Sequence, residues 1–228
     1  MFDRIFKFVE KIIPLYAIVP LLIFGSFNMI TYLGTQLFIG NRQLLDMTCI
    51  IDRKIPFVPA MMVVYLLAFA TWIIGYIVFC RESKEMCYYI LAAELISKSI
   101  CFIIYIAFPS TMERPIVIGH DFFSELTRFV YTVDRPLSLF PSIHCLESWL
   151  CFRASLKCKK VGNGFRVVMF IAALLVFAST LMVKQHVFVD MIAGVAAIEI
   201  GFLAAKKLKA GRIYYNFEKI GFLNRLYQ

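Results

Sequence analysis

The run IPFVPAMMVVYLLAFATWIIGYIVFC, Ile55 to Cys80, contains no charged residue. A bilayer hydrocarbon core about 30 Å thick is crossed by a helix of about 20 predominantly apolar residues, so this run is long enough to cross with some tilt. Arg53 and Lys54 precede it, and Arg81, Glu82, Lys84 and Glu85 close it. Working outward, further apolar runs lie at about 12–34, 86–108, 141–156, 167–183 and 187–205. Over the whole chain 61% of residues are hydrophobic and 17% charged, against an apolar share of roughly 45–50% in soluble domains. The expected fold is an all-α, polytopic bundle of six transmembrane helices, a single membrane-embedded domain spanning residues 1–228.

The connecting segments have their own patterns. Residues 1–11 alternate aromatic and charged side chains and read as an interfacial helix. In the long segment between Pro109 and Phe140, Phe122, Phe123, Leu126, Phe129, Val130 and Val133 recur at helical spacing between Asp121, Glu125 and Arg128. This predicts a short amphipathic helix at the interface, placed to lid a site. Pro141 is expected at or near the first position of the fourth span, where its missing N–H is not needed. Within the third span Glu94 and Lys98 are an i,i+4 pair on one helix face. A mutually neutralising structural pair is the simpler reading, and a proton or substrate role the alternative. Glu147 sits inside the fourth span.

A formal charge of +9 would suggest nucleic acid in a soluble protein, but in a membrane protein Lys and Arg mark cytoplasmic loops. Sixteen of the 24 basic residues fall on the N-terminus, the second and fourth loops and the 206–228 tail, and seven on the opposite side. Both termini are therefore expected in the cytoplasm, in a multi-pass protein of a bacterial plasma membrane, with no nucleic-acid partner. The seven cysteines are scattered in or beside apolar runs without paired metal spacing.

The loops expected to face away from the cytoplasm hold Arg114, Arg135, Ser142, His144, Lys184 and His186. Two histidines where polar segments enter helices, with several cations, suit an anionic phosphate ester. Asp190 lies four residues beyond His186, so its carboxylate can accept one ring N–H and leave the other nitrogen free to attack. His144 is then placed to protonate the leaving oxygen. Ser142 and the free amides of that helix start can hold phosphate oxygens, while Arg114, Lys184 and Arg135 offset developing charge. Taken singly, such a histidine is more often an interfacial polar group than a catalyst, and an i,i+4 His/Asp pair is often only a helix-face hydrogen bond. No HExxH or cysteine cluster points to a metal, so no cofactor is expected. His120 has no comparable company and reads as a loop residue.

These residues carry a resemblance. Pro141-Ser142-Ile143-His144 resembles the Pro-Ser-Gly-His element of the type 2 phosphatidic acid phosphatase superfamily. Ser179 to Asp190 resembles its Ser-Arg-x5-His-x3-Asp element, with Ser179, His186 and Asp190 in register. Thr180 stands where that element has a phosphate-binding arginine, with Lys184 as a substitute, and Ile143 replaces the glycine. The Lys-x6-Arg-Pro element has two partial matches: Arg114-Pro115 with Ala107 in the lysine position, and Arg135-Pro136 with Arg128. Arg114 is preferred as the phosphate ligand. Asp134 to His144 is also similar to the inositol phosphorylceramide synthase-like branch.

The resemblance implies a metal-independent phosphatase or phosphotransferase in which His186 becomes a phosphohistidine, Asp190 orients it and His144 protonates the leaving group. The expected substrate is a membrane lipid phosphate, of the phosphatidic acid or polyprenyl (pyro)phosphate class, hydrolysed on the outer side. Transfer of a phospho-head group to an acceptor lipid is one alternative. A non-enzymatic transporter or binding protein for anionic lipid is another.

Overall fold

The computed structural model describes residues 10–39 and 42–211. The interfacial helix expected over 1–11 therefore lies, apart from its last two residues, outside the described part, as does the tail beyond Gly211. The protein is all-α apart from one two-residue parallel pairing, in which β1 (Leu45–Asp46) lies beside β2 (Ser110–Thr111).

Among the described residues five helices are long and apolar enough to cross a membrane: α1 (Leu15–Ile39), α3 (Met61–Glu82), α4 (Lys84–Ala107), α7 (Asn163–Met182) and α8 (Phe188–Lys207). A single turn, α2 (Ile50–Lys54), and an amphipathic helix, α5 (Phe122–Val133), lie between them. The fourth expected span is different. Helix α6 (Ile143–Ser155) has 13 residues, or roughly 20 Å at 1.5 Å per residue, and falls short of a full crossing. It packs against α3, α4, α7 and α8; Leu146, Leu150, Cys151 and Ala154 are buried in the main core, and Cys145 is buried as well. A helix walled by other helices needs no lipid-facing apolar surface, which accounts for the polar residues it carries.

Local chemistry sets the boundaries. Pro56 and Pro59 keep the start of the Ile55–Cys80 run out of α3, which begins at Met61. Pro141 precedes α6 rather than opening it, because Ser142 is the N-cap and its hydroxyl accepts the amide of Cys145 at 3.3 Å. Asp121 caps α5 by accepting the amides of Phe123 and Ser124 at 2.9 and 3.2 Å; hydrogen bonding from Ser124 holds its carboxyl below the usual carboxylate range. In α5 the expected amphipathic pattern appears as Val130 and Thr127 buried and Phe122, Phe129 and Val133 exposed. Its inner face packs with Met62, Tyr65 and Val183.

Two glycines on α8 set how closely the helices approach. A Cβ at Gly194 would collide with the carbonyl oxygen of Ser142 at the start of α6, and one at Gly201 with Ser97 and the backbone of Ala93 on α4. Any larger residue at Gly194 would push the start of α8 away from the start of α6, where the candidate residues converge.

Candidate active site

Two helix starts meet here. The amide of Ser142 donates to the carbonyl of Asp190 at 3.0 Å, joining the cap of α6 to the first turn of α8. Asp190 is fully buried. One of its oxygens, Oδ2, accepts the amide of Val187 at 3.0 Å and lies 3.2 Å from Nδ1 of His186. A carboxylate fixed by the backbone and paired with Nδ1 holds the proton there and leaves Nε2 of His186 as the free nitrogen. The ring of His144 lies 5.9 Å from that of His186, centroid to centroid.

Helix α3 supplies the wall behind His144. The phenol ring of Tyr65 stacks on the imidazole at 4.2 Å and 23°, Trp72 lies 5.2 Å away and Phe69 approaches edge-on at 5.7 Å. The indole N–H of Trp72 donates to Ser148 one turn along α6 at 3.0 Å. The Tyr65 hydroxyl lies 3.5 Å from Nδ1 of His144 and 3.4 Å from Oδ2 of Asp134. Tyr32 of α1 donates to the other oxygen of Asp134 at 2.7 Å. An aspartate and two tyrosines thus form a polar chain ending on His144. Helices α1, α3, α6 and α8 all contribute to this region.

Arg114 is brought to the same place. One guanidinium nitrogen donates to the carbonyl of Asp134 at 2.6 Å, another to the side-chain oxygen of Gln185, and the group lies over the ring of Tyr131 at 4.5 Å. Burial pushes its ionisation below the ordinary arginine range, while the nearby Asp134 favours the cation. Of the seven buried side-chain polar atoms without a partner among the described residues, four belong to this cluster: Nε of Arg114, Nε2 of Gln185, Nε2 of His144 and Oδ1 of Asp190. Buried polar atoms are otherwise almost always satisfied, so four of them on residues of one cluster mark a place where a polar guest fits.

The remaining expected residues are placed differently. Lys184 follows the C-cap of α7 with φ 53, a left-handed conformation that reverses the chain. Its ammonium donates to the carbonyls of Asp52 and Ile55 at 2.8 and 2.7 Å. Burial lowers its ionisation from the usual lysine value, and Asp52 opposes that shift. Asp52 also accepts the amide of Phe188 at 2.7 Å, so α2 braces both sides of His186. Arg135 is exposed. Arg128 is taken up by Glu125 and by the carbonyls of Val117 and Gly119, each at 2.7 Å. Thr180 is buried, and its carbonyl accepts the amides of Gln185 and His186 at 3.0 and 3.2 Å. Ile143 packs into the main apolar core, which accommodates a side chain where the resembling element has none. Among the described residues no three His, Cys, Asp or Glu side chains converge as a metal site.

Sequence reading missed Tyr65, Asp134, Tyr32, Trp72 and Gln185. Gln185 and Asp134 lie inside the motif stretches and were signalled only by that proximity. Tyr65 had no signal beyond being a tyrosine in an otherwise apolar span.

Both helix starts, the stacked tyrosine and the arginine loop fall within residues 30–204, which match the family model of the PAP2 superfamily. The chain belongs to the PAP2 superfamily. No curated protein and no solved structure matches it. PAP2 membership makes phosphatase-type chemistry on a lipid phosphate the general class of its activity, and the five apolar helices make it an integral membrane protein.

Proposed function

We propose that the protein is a lipid phosphate phosphatase that works through a phosphohistidine at Nε2 of His186. The reading rests on one observation above others: Asp190 engages Nδ1 of His186 at 3.2 Å, with a second histidine ring 5.9 Å from the first. In the first step Nε2 attacks phosphorus, the bond to the leaving oxygen breaks, and His144 donates its proton to that oxygen. In the second step neutral His144 takes a proton from water, the oxygen attacks phosphorus, the P–N bond breaks and phosphate leaves. Asp190 stabilises the cationic ring that His186 carries while it is phosphorylated, between the two steps. The unpartnered nitrogens of Arg114 and Gln185 are the groups we assign to the equatorial phosphate oxygens. Ser142 and the α6 amides assist, and Lys184 and Arg135 contribute positive charge at the rim.

The substrate class is a phosphatidic acid or polyprenyl (pyro)phosphate reaching the site from the extracytoplasmic leaflet, with both termini cytoplasmic and no metal in the reaction. The whole chain then acts as one domain. The test is phosphate release by purified protein from both lipid classes in the presence of EDTA. Wild-type release abolished by His186→Ala is the supporting result, and equal release by the two proteins contradicts it.

Phosphotransfer to an acceptor lipid is a second reading. It is favoured by the burial of His186, 9% exposed, because a site screened from bulk water lets a bound hydroxyl compete for the phosphoenzyme. Head-group exchange on supplying a hydroxylated acceptor lipid separates the two readings. Phosphate-ester binding that survives loss of His186 without turnover would instead indicate a binding protein.

A further inference from the structure

Away from the histidines, α4 and α6 are joined by charge inside the membrane. Nζ of Lys98 lies 2.5 Å from Oε1 of Glu94 and 2.5 Å from Oε1 of Glu147. The three residues are 3%, 3% and 4% exposed. Tyr76 of α3 donates to Oε2 of Glu147 at 2.8 Å, whereas Oε2 of Glu94 is buried with no hydrogen-bond partner among the described residues. Among the described residues the other ionisable groups facing the cluster are Cys101 from α4 and Cys151 from α6, neither of which can carry positive charge.

The charges do not balance if both carboxyls are ionised. One ammonium against two carboxylates leaves a net charge of −1 in a site with almost no access to water, and an uncompensated charge in that setting is strongly disfavoured. Among the described residues no second cation is on hand, since Cys101, Cys151 and Tyr76 cannot supply one. A neutral carboxyl also places less demand on hydrogen-bond donors than a carboxylate, which suits the unpartnered oxygen of Glu94. We propose that Glu94, Lys98 and Glu147 form a proton-binding site inside the membrane, holding one proton between two carboxyl groups so that the cluster is neutral. The site fastens α6, which does not cross the bilayer by itself, to α4 and α3. It is independent of the phosphatase reading, because its occupant is a proton and its readout is not turnover.

The experiment is infrared spectroscopy of the purified full-length protein carrying isotope-labelled glutamate, at neutral pH, in light and heavy water. Wild type is expected to show one buried protonated-carboxyl band that shifts in heavy water. Glu94→Gln and Glu147→Gln each leave one carboxylate with one ammonium, so each should lose the band. Lys98→Met removes the cation and should roughly double the band, since both carboxyls must then be neutral. Thermal unfolding supplies a second readout: each single glutamine variant should unfold near the wild-type temperature, and the double variant, with an unpaired buried ammonium, well below it. If the double variant does not accumulate, the spectra of the single variants decide. Absence of the band in wild type, its persistence in both single variants, or its loss on adding sodium would each overturn the proposal, the last by showing a metal cation in the proton's place.

Discussion

The amide of Ser142 donates to the carbonyl of Asp190 across 3.0 Å, so the residue capping one histidine's helix is hydrogen-bonded to the residue orienting the other histidine. The two residues lie 48 positions apart in the chain, yet a backbone hydrogen bond joins them above the close helix crossing at Gly194. Several outcomes depend on that contact.

Gly194 is where the crossing is closest. Adding a methyl group there forces it into the Ser142 carbonyl, and overpacking of this kind typically costs about 1–3 kcal/mol. Gly194→Ala should lower the unfolding temperature in detergent and, per folded molecule, sharply reduce phosphate release. Gly201→Ala, which strikes Ser97 and Ala93 rather than the site, should lower stability by a similar amount while sparing turnover per folded molecule. Equal turnover losses in the two variants would show that the crossing at Ser142 has no special role.

Tyr65 touches His144 in two ways, through its ring at 4.2 Å and its hydroxyl at 3.5 Å. Tyr65→Phe keeps the stack and cuts the polar chain to Asp134. A loss of about tenfold in kcat, or about 1.4 kcal/mol, is expected, with little change in KM. Tyr65→Ala removes the wall as well and should cost more. Steady-state kinetics on the two variants check this, and a Phe variant as active as wild type would remove the hydroxyl from the account.

The two candidate arginines separate experimentally. Arg114 is buried and already aimed by Asp134 and Gln185, while Arg135 is exposed. Arg114→Lys cannot reproduce the planar fork and should lower kcat/KM by about 10²–10³, the scale for losing one oriented donor to a transition-state oxyanion. Arg135→Lys should have a much smaller effect. The reverse ranking in a kcat/KM comparison would transfer the ligand role to Arg135.

Lys184 combines a left-handed backbone with a tether to Asp52 and Ile55. Lys184→Gly and Lys184→Ala both lose the tether, but only glycine relieves the backbone cost, about 1–2 kcal/mol for a residue with a Cβ. Both variants should lose activity as the loop before His186 loosens, with the glycine variant unfolding at the higher temperature. Calorimetry on the pair checks the ordering.

Sequence reading reached the parts of this fold that are local. Uncharged runs mark α3 and α7, the period of Phe122 to Val133 marks α5, and His186 with Asp190 is readable as a helix-face pair because it spans one turn. Glu94 and Lys98 are readable for the same reason. Glu147 is not, because it reaches Lys98 from another helix, and no periodicity reports which helices are neighbours. The same holds for Tyr65, Asp134 and Tyr32, which converge on His144 from three separated segments. Composition marks 141–156 as an apolar run, but not that α6 has only 13 residues and is enclosed by other helices. Lys184 is legible from its position beside His186, but its tether to the carbonyls of Asp52 and Ile55 is not, because those come from a segment far away in the chain.

The central claim is a covalent bond from phosphorus to His186. The direct measurement is to incubate the purified protein with a lipid whose phosphate is radiolabelled, quench in alkali and map the label. The expected result is an alkali-stable, acid-labile label on the peptide containing His186, present in wild type, longer-lived in His144→Ala because no base then takes the proton from the attacking water, and absent in His186→Ala. An active wild-type enzyme that never carries label, or a label that persists when His186 is replaced, would contradict it.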